Sequence, residues 1–591
     1  MNKTNFEKTV AGPDGCEWCF RLDAERRNVF LRRRLGETWS PEVCVGGIHH
    51  VLAYFDGSFG EELAPLAALD LASTPDGVQM VLHSPDAFFD PPLEHLLAPK
   101  SFVRPRGDGP GLSPETCEDY PLTVIRDINL PDLHVSSTLS VMFLDCLEVE
   151  SVENLDWFAK TAEKHTGGPV LHADKPWESK TVNCVGGTVL FTDGKFRMWY
   201  NAVEPMGQSL TIPEAEWLPN WQKCCNVCYA ESEDGLHWEK PVLGKVDYMG
   251  STENNLVPSL WRGPTIVEDV SDPDSQRRFK CSQQLELDTF VPELVRLHTS
   301  PDGIEWETTA GHRHFGDSAR PHFFVWNSVF IDEEEPDPEK RWKAYGYFGT
   351  SPNRRTCGAA WSPDGVNWTA VPENPIISPR QFGKWFLHDL VVWKENGLYL
   401  GLVQTSEMKA DYDFALVFSR DGVHFSQVGN GLFLARGTPD EWDGGNIHAG
   451  CCMPVQKDGR NHFYYAGADA TKETFAIGLA TATCGQYAGF KMPADEGEGV
   501  LRTRPIALDA AMFRLELNAE GVGMGTVTCA LMDPTSGACM PGYGHAKCLT
   551  EVRDHAVAVA WKTQPCLPSG RFRLEIRVHD PETRLYGFHI S

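Results

Sequence analysis

The amino-acid sequence predicts an all-β protein with a five-bladed β-propeller at its centre, an N-terminal mostly β accessory domain and a C-terminal β-sandwich. Three observations carry this prediction. A short motif recurs four times at near-equal spacing, aromatic-rich apolar strands return in the same order between its copies, and beyond residue 503 the pattern becomes short strands of period-two alternation.

The motif is S-x-D-G-x-x-[WF], at Ser232–Trp238, Ser300–Trp306, Ser362–Trp368 and Ser419–Phe425. Its aspartates stand at 234, 302, 364 and 421, about sixty residues apart, the length of one four-stranded blade with its loops. Asp-Gly makes a tight hairpin turn because glycine accepts positive φ and aspartate bonds the backbone just downstream. Each copy therefore marks the outer hairpin of one blade, with its aromatic packed on a neighbour. The second strands of blades read as Phe196–Ala202, Arg341–Tyr347, Leu398–Val403 and His462–Gly467, and Ile477–Ala482 adds a degenerate last unit.

The propeller is assigned residues 165–503. Residues 1–150 lack the repeat but hold β-like runs such as Asn28–Arg32 and Gly77–His83, and form the accessory domain. The stretch 151–164 has apolar residues at helical spacing and is expected to be a helical connector. Residues 504–591, with Met512–Leu517, Gly525–Leu531, Ala556–Trp561 and Arg571–Arg577, are expected to form the sandwich.

The chain has 591 residues, 41% of them hydrophobic, and a formal charge of −29. Packed cores fit such a composition, and the acidic balance argues against a nucleic-acid or anionic-membrane partner. The first residues have neither an apolar core nor a small-residue cleavage site, so a cytoplasmic location is expected. The 18 cysteines then read as reduced thiols, and neither Cys16/Cys19 nor Cys224/Cys225/Cys228 has a second pair at zinc-site distance. No metal site or cofactor is expected, although a propeller channel has room for a structural cation. The accessory domains offer surfaces for oligomerisation.

In a propeller the first strand of each blade lines the central channel, so residues just before those strands converge on one funnel. That rule nominates Asp174 and Glu178 on blade 1, Glu253, Asn254 and Asn255 on blade 2, Asp317 and Arg320 on blade 3, His388 and Asp389 on blade 4, and Asp443, Asn446 and His448 on blade 5. Trp385 near the same rim is a candidate for stacking on a sugar face. Carboxylates on four blades suit glycoside cleavage, in which one acid protonates the leaving oxygen and a second carboxylate attacks or activates water. Competing readings make Glu178 a strand cap, Asp443 a partner for turn backbone and His448 a core histidine.

Lys175–Glu178, Leu398–Leu402, Phe418–Val423, Trp442–Gly445 and Leu501–Pro505 resemble the five-bladed propeller glycoside hydrolases of the families 32 and 43 superfamily, and most nearly bacterial proteins with a family 32 N-terminal-like domain. The resemblance spans about residues 170–591. It implies essential carboxylates on blades 1, 3 and 4: Glu178 or Asp174 as nucleophile or base, Asp317 steadying the oxocarbenium-like state, and Asp389 as general acid in place of the usual Glu. On blade 3 another register puts Asn327 at the funnel instead of Asp317. The W-x-N-D-P, R-D-P and E-C motifs of family 32 are absent. The expected function is thus hydrolysis of an oligosaccharide, against a lyase or phosphorolytic chemistry on the same scaffold or a non-catalytic glycan-binding propeller.

Overall fold

In the computed structural model the described residues are nine strands between residues 6 and 125, and residues 133–591 apart from 136, 146, 179–180, 204–224, 262, 286–293, 314–322, 350–355, 372–373, 378–385, 407–411, 430, 448–451, 472–473, 494–496, 511, 524 and 554–555. Five antiparallel four-stranded sheets form the propeller. Blade 1 runs from its inner strand Val182–Thr192 through Lys195–Val203 and Cys225–Ser232 to Leu256–Trp261. Blade 2 comprises Ile266–Glu268, Phe279–Leu285, Leu294–Ser300 and Glu307–Arg313, and blade 3 Phe323–Ile331, Trp342–Gly349, Thr356–Ser362 and Thr369–Ala370. Blade 4 comprises Phe386–Glu395, Leu398–Ser406, Asp413–Ser419 and Phe425–Gln427. Blade 5 takes Val455–Lys457, Arg460–Ala468 and Phe475–Thr483 from one end of the repeat region, and its outer strand Glu163–Lys164 from the other. That exchange closes the ring.

Blade strands are covered on both faces by neighbouring blades. Asp413–Ser419 is buried at every position, so its sequence is a continuous run rather than an alternation. Ala556–Trp561 in the sandwich alternates half-buried and buried residues instead, having one face on a core.

The four Asp-Gly turns have one geometry. The serine Oγ accepts from the glycine N–H at 2.8–3.0 Å, and the aspartate Oδ1 accepts from the next two amides, as at Ile304 and Glu305 (2.8 and 2.9 Å). Each glycine lies at positive φ, +76° to +79°, which other residues avoid. Its carbonyl accepts from the motif's own tryptophan in three copies, and from the second strand of the preceding blade in all four. Those donors are Tyr464 Oη to Gly235 (2.9 Å), Trp199 Nε1 to Gly303 (2.7 Å), Ser282 Oγ to Gly365 (2.7 Å) and Tyr345 Oη to Gly422 (3.0 Å). The turn is thus also the joint between blades.

Two expectations are corrected. The 151–164 segment is not helical: it contains the strands Val149–Glu153, Asp156–Ala159 and Glu163–Lys164. Asn154, at φ +51°, breaks the chain between the first two, and strand pairing with Lys491–Ala488 outweighs the local helical spacing. The sandwich is also larger than 504–591. Leu133–Val135, Leu139–Met142, Val149–Glu153 and Asp156–Ala159 join strands from 488–590 in its two sheets. Ring closure brings both ends of the propeller to blade 5, so segments from before and after it share one core. The strands between residues 6 and 125 form a six-stranded and a three-stranded sheet. No helix among the described residues is long and apolar enough to cross a membrane.

A Cβ on Gly303 would sit 2.6 Å from Cζ2 of Trp199, at a residue with φ +79°. Gly303→Ala is therefore expected to destabilise the propeller by more than about 1 kcal/mol, read as a lower urea midpoint, whereas Gly194→Ala in an open hairpin costs less. The turn carboxylates also give a pH dependence. Hydrogen bonds from the His237 backbone and side chain hold Asp234 below the ordinary carboxylate range; at Asp302 burial opposes this, but turn amides prevail. The folded chain thus binds these protons less readily than the unfolded one, so their stabilisation is present above about pH 4 and lost on acidification below it. A urea midpoint that stays level between pH 5 and pH 3 would refute this.

Candidate functional site

The blades are knitted together by polar side chains of their inner and second strands. Thr188 Oγ1 accepts from Ile266 N (2.8 Å) and donates to Pro264 O, joining blades 1 and 2. Ser328 Oγ accepts from Val392 N (2.9 Å), joining blades 3 and 4, and Gln404 Nε2 donates to Ile447 O (2.8 Å) on the way into blade 5. Asn201 bridges Asn183 Oδ1 and Gly263 N. Much of the expected polar ring is consumed in holding the blades.

Glu178 does not line a funnel. It ends the short 3-10 turn Pro176–Glu178 and is fully buried between blades 5 and 1. Oε2 accepts from Asp174 N, Lys175 N and Lys240 Nζ (2.9, 3.0 and 2.8 Å), and Oε1 accepts from Tyr200 Oη at 2.6 Å. Asn255 extends the network, donating to Tyr200 Oη and accepting from Trp177 Nε1. Burial above all, with Glu178 contributing, pushes the Tyr200 hydroxyl well above its ordinary pKa. Both oxygens of this carboxylate are occupied by the fold, closing the 3-10 turn and tying it to blade 1 rather than capping a strand. Asp174 is exposed beside Lys240 (2.6 Å); burial raises its pKa, but that hydrogen bond and charge bring it below the ordinary value.

Three further candidates move. Asn254, with Glu253 and Asn255, precedes Leu256–Trp261, which is the outer strand of blade 1 rather than the inner strand of blade 2. The chain reverses at Gly263, φ +77°, between that strand and Ile266–Glu268, a break the apolar run 256–267 does not reveal. Asn254 Nδ2 is engaged by Val246 O. Asp443 lies buried against blade 5, its Oδ2 accepting from Lys164 Nζ (2.6 Å) and Tyr465 Oη (2.8 Å), so it fastens the closing strand. Asn446 exchanges backbone hydrogen bonds with Ala468. Asp317, Arg320, Trp385 and His448 lie outside the described residues.

His388 and Asp389 remain together on the inner strand of blade 4. A bulge there sets Leu387 opposite Thr405 and Leu390 opposite Val403, so two residues face the single Gln404. Bulges re-aim side chains, and this one seats the pair where a regular strand would place its members on opposite faces. Asp389 is buried and its Oδ1 lies 2.7 Å from His388 Nδ1. The imidazole packs between Tyr347 (5.7 Å) and Tyr412 (5.6 Å), and Asp389, after burial itself, raises the Cys357 thiol. Blade 3 has its own bulge at Asn327. Asn327 Oδ1 accepts from Leu390 N at 3.4 Å, while its Nδ2 and Gln404 Oε1 are buried with no hydrogen-bond partner among the described residues. A buried polar group left so costs about 1–3 kcal/mol, which a hydroxyl-bearing ligand or water would recover. Gln404, Tyr347 and Tyr412 escaped the sequence reading, since a bulge has no signature in these residues. Among the described residues no group of three metal-ligating side chains occurs.

Neither a protein-family model nor a curated protein matches the chain. Among solved structures it is similar to a glycoside hydrolase of the GH130 family of mannoside phosphorylases that targets β-1,2 mannosidic linkages in Candida mannan, at 17% identity over 56% of this chain and 97% of that one, TM-score 0.38. It is similar also to Bombyx mori GH32 β-fructofuranosidase (11% identity, 72% and 92% covered, TM-score 0.33) and to the catalytic domain of Coprinopsis cinerea GH62 α-L-arabinofuranosidase (11%, 55% and 96%, 0.34). The propeller itself stands on the five closed four-stranded sheets of this chain.

Glu178→Ala leaves Lys240, 8% exposed, with only the exposed Asp174 and the His172 carbonyl, and strips their buried acceptor from Tyr200 Oη and the Asp174 and Lys175 amides. The expected loss is about 3–5 kcal/mol of stability, measured by urea unfolding. Full stability with lost activity would instead return Glu178 to the chemistry.

Proposed function

We propose that the protein cleaves a glycosidic bond of an oligosaccharide at the inner ends of blades 3 and 4, using the His388–Asp389 pair for proton transfer. The observation that supports this most is a carboxylate and an imidazole 2.7 Å apart in an inner-strand bulge. Asn327 Nδ2 and Gln404 Oε1, a donor and an acceptor with no partner among the described residues, are suited to sugar hydroxyls. Asp389, as general acid, delivers a proton to the leaving oxygen, with His388 setting how readily it is held. The second carboxylate the reaction needs is assigned to Asp317 on its sequence position, with Arg320, Trp385 and His448 as substrate contacts. Glycosidase chemistry needs no cofactor.

A lyase is the second reading, because Tyr347 and Tyr412 flank His388. There the imidazole removes a proton beside a uronate carboxylate and a tyrosine protonates the leaving oxygen.

A panel of aryl glycosides, natural oligosaccharides and uronate polymers separates the two, since only elimination yields an ultraviolet-absorbing unsaturated product. For a hydrolase, Asp389→Asn is expected to lower kcat by about 10²–10⁴-fold on glycosides with poor leaving groups and far less on activated ones. Equal turnover by mutant and wild type on a poor leaving group would remove Asp389 from the mechanism.

A further inference from the structure

The C-terminal sandwich holds a cysteine pair that none of the chemistry above uses. Cys529 belongs to the strand Val527–Met532 of one sheet, and Cys548 opens the strand Cys548–Arg553 at the edge of the other. Cys529 is fully buried and Cys548 half-buried. The Cys529 N–H donates to Cys548 Sγ at 3.2 Å. With every intervening bond extended, that contact caps the Cα–Cα separation at about 7.5 Å, an upper bound that spans the roughly 4.4–6.8 Å of disulfides. Trp561 buttresses the pair. It lies opposite Cys548 in the strand register, its Nε1 donates to Cys529 O at 3.1 Å, and Tyr543 packs on its ring at 5.1 Å.

We propose that Cys529 and Cys548 are an oxidisable dithiol, a modification site at which a small disulfide oxidant such as oxidised glutathione closes a bond between the two sheets of the sandwich.

Accessibility and acidity fall in the order that thiol–disulfide exchange requires. The half-buried Cys548 is held below the ordinary thiol pKa by the Cys529 thiol, whereas Cys529 is pushed well above it by Cys548 and by burial. Cys548 is therefore the attacking thiolate and Cys529 the resolving thiol. Cys548 Sγ attacks one sulfur of the oxidant, the oxidant's S–S bond breaks, and one glutathione leaves as a thiolate that takes up a proton. Cys529 then loses its proton and attacks Cys548 Sγ, releasing the second glutathione. Two thiols have become one disulfide, and the two electrons and two protons reside in two molecules of reduced glutathione. The product ties an edge strand, which otherwise has one hydrogen-bonded neighbour, to the opposite sheet.

The full chain is equilibrated with defined ratios of oxidised to reduced glutathione at neutral pH, alkylated and digested. The expected product is a cross-linked peptide joining Cys529 to Cys548, two alkylatable thiols lost per chain, and a higher melting temperature of the sandwich. Cys539→Ser keeps these effects, and Cys548→Ser and Cys529→Ser abolish them. Glutathione left only as a mixed disulfide on the exposed Cys539, a cross-link that pairs Cys548 with another cysteine, or no loss of thiols under the most oxidising ratio would each overturn the proposal. The peptide map is read on the wild-type chain, so a variant that fails to fold leaves the result intact.

Discussion

The carbonyl oxygen of one glycine per turn holds the propeller together. At Gly235, Gly303, Gly365 and Gly422 it points out of a hairpin that serine and aspartate have already closed, and it accepts from the second strand of the blade before it. In blades 1, 2 and 3 the donor occupies one register position, three residues beyond the residue paired with the motif serine of its own blade: Trp199, Ser282 and Tyr345. Tyrosine, tryptophan and serine all serve there, because the joint needs only a donor at that place and height. Glycine is needed twice over, for positive φ and for the approach of the donor.

The seam between blades 4 and 5 departs from this pattern and shows what the joint is for. Leu402 stands at the donor position with a side chain that has no N–H or O–H to offer, while Gly485 O accepts from Asn518 of the sandwich at 3.2 Å. Glu395, at the end of the blade 4 inner strand, gathers the Gly485 N–H, Asn461, Gln456, Tyr487 and Trp393 around one buried carboxylate. Arg420, in the blade 4 turn, binds Asp145 and Glu148 of the segment preceding the propeller. The ring is completed there by the domain that its two ends build together.

This economy explains why most polar residues near the hub are not chemical. A propeller has to bring strands from different blades side by side without a shared sheet, so Thr188 and Ser328 lend side chains to the next blade's backbone and Gln404 to the segment leading into blade 5. Glu178 and Asp443 are bound in the same way by Lys240 and Lys164. His388 and Asp389 differ because a bulge interrupts the regular alternation at both, and because their mutual hydrogen bond joins two adjacent ionisable groups.

The sequence by itself determined the blades. Asp-Gly turns are local, their hydrogen bonds span a few residues, and their spacing counts the strands between them, so the four copies of the motif were legible without any tertiary knowledge. Ile477–Ala482, by contrast, proves to be part of the third strand of blade 5 rather than a unit of its own, and the second strand of blade 2, Phe279–Leu285, escaped the sequence reading. Only the tertiary structure decided what depends on contacts between distant segments. Ring closure made strands of 151–164 and drew residues from before the propeller into the sandwich, because pairing with 488–491 and the strands beyond overrode local helical spacing. It also decided which carboxylates face the hub. Proximity to an inner strand in sequence says nothing of whether a lysine from another blade, such as Lys240 or Lys164, arrives to bind the side chain first, nor where a bulge will turn His388 and Asp389 toward each other.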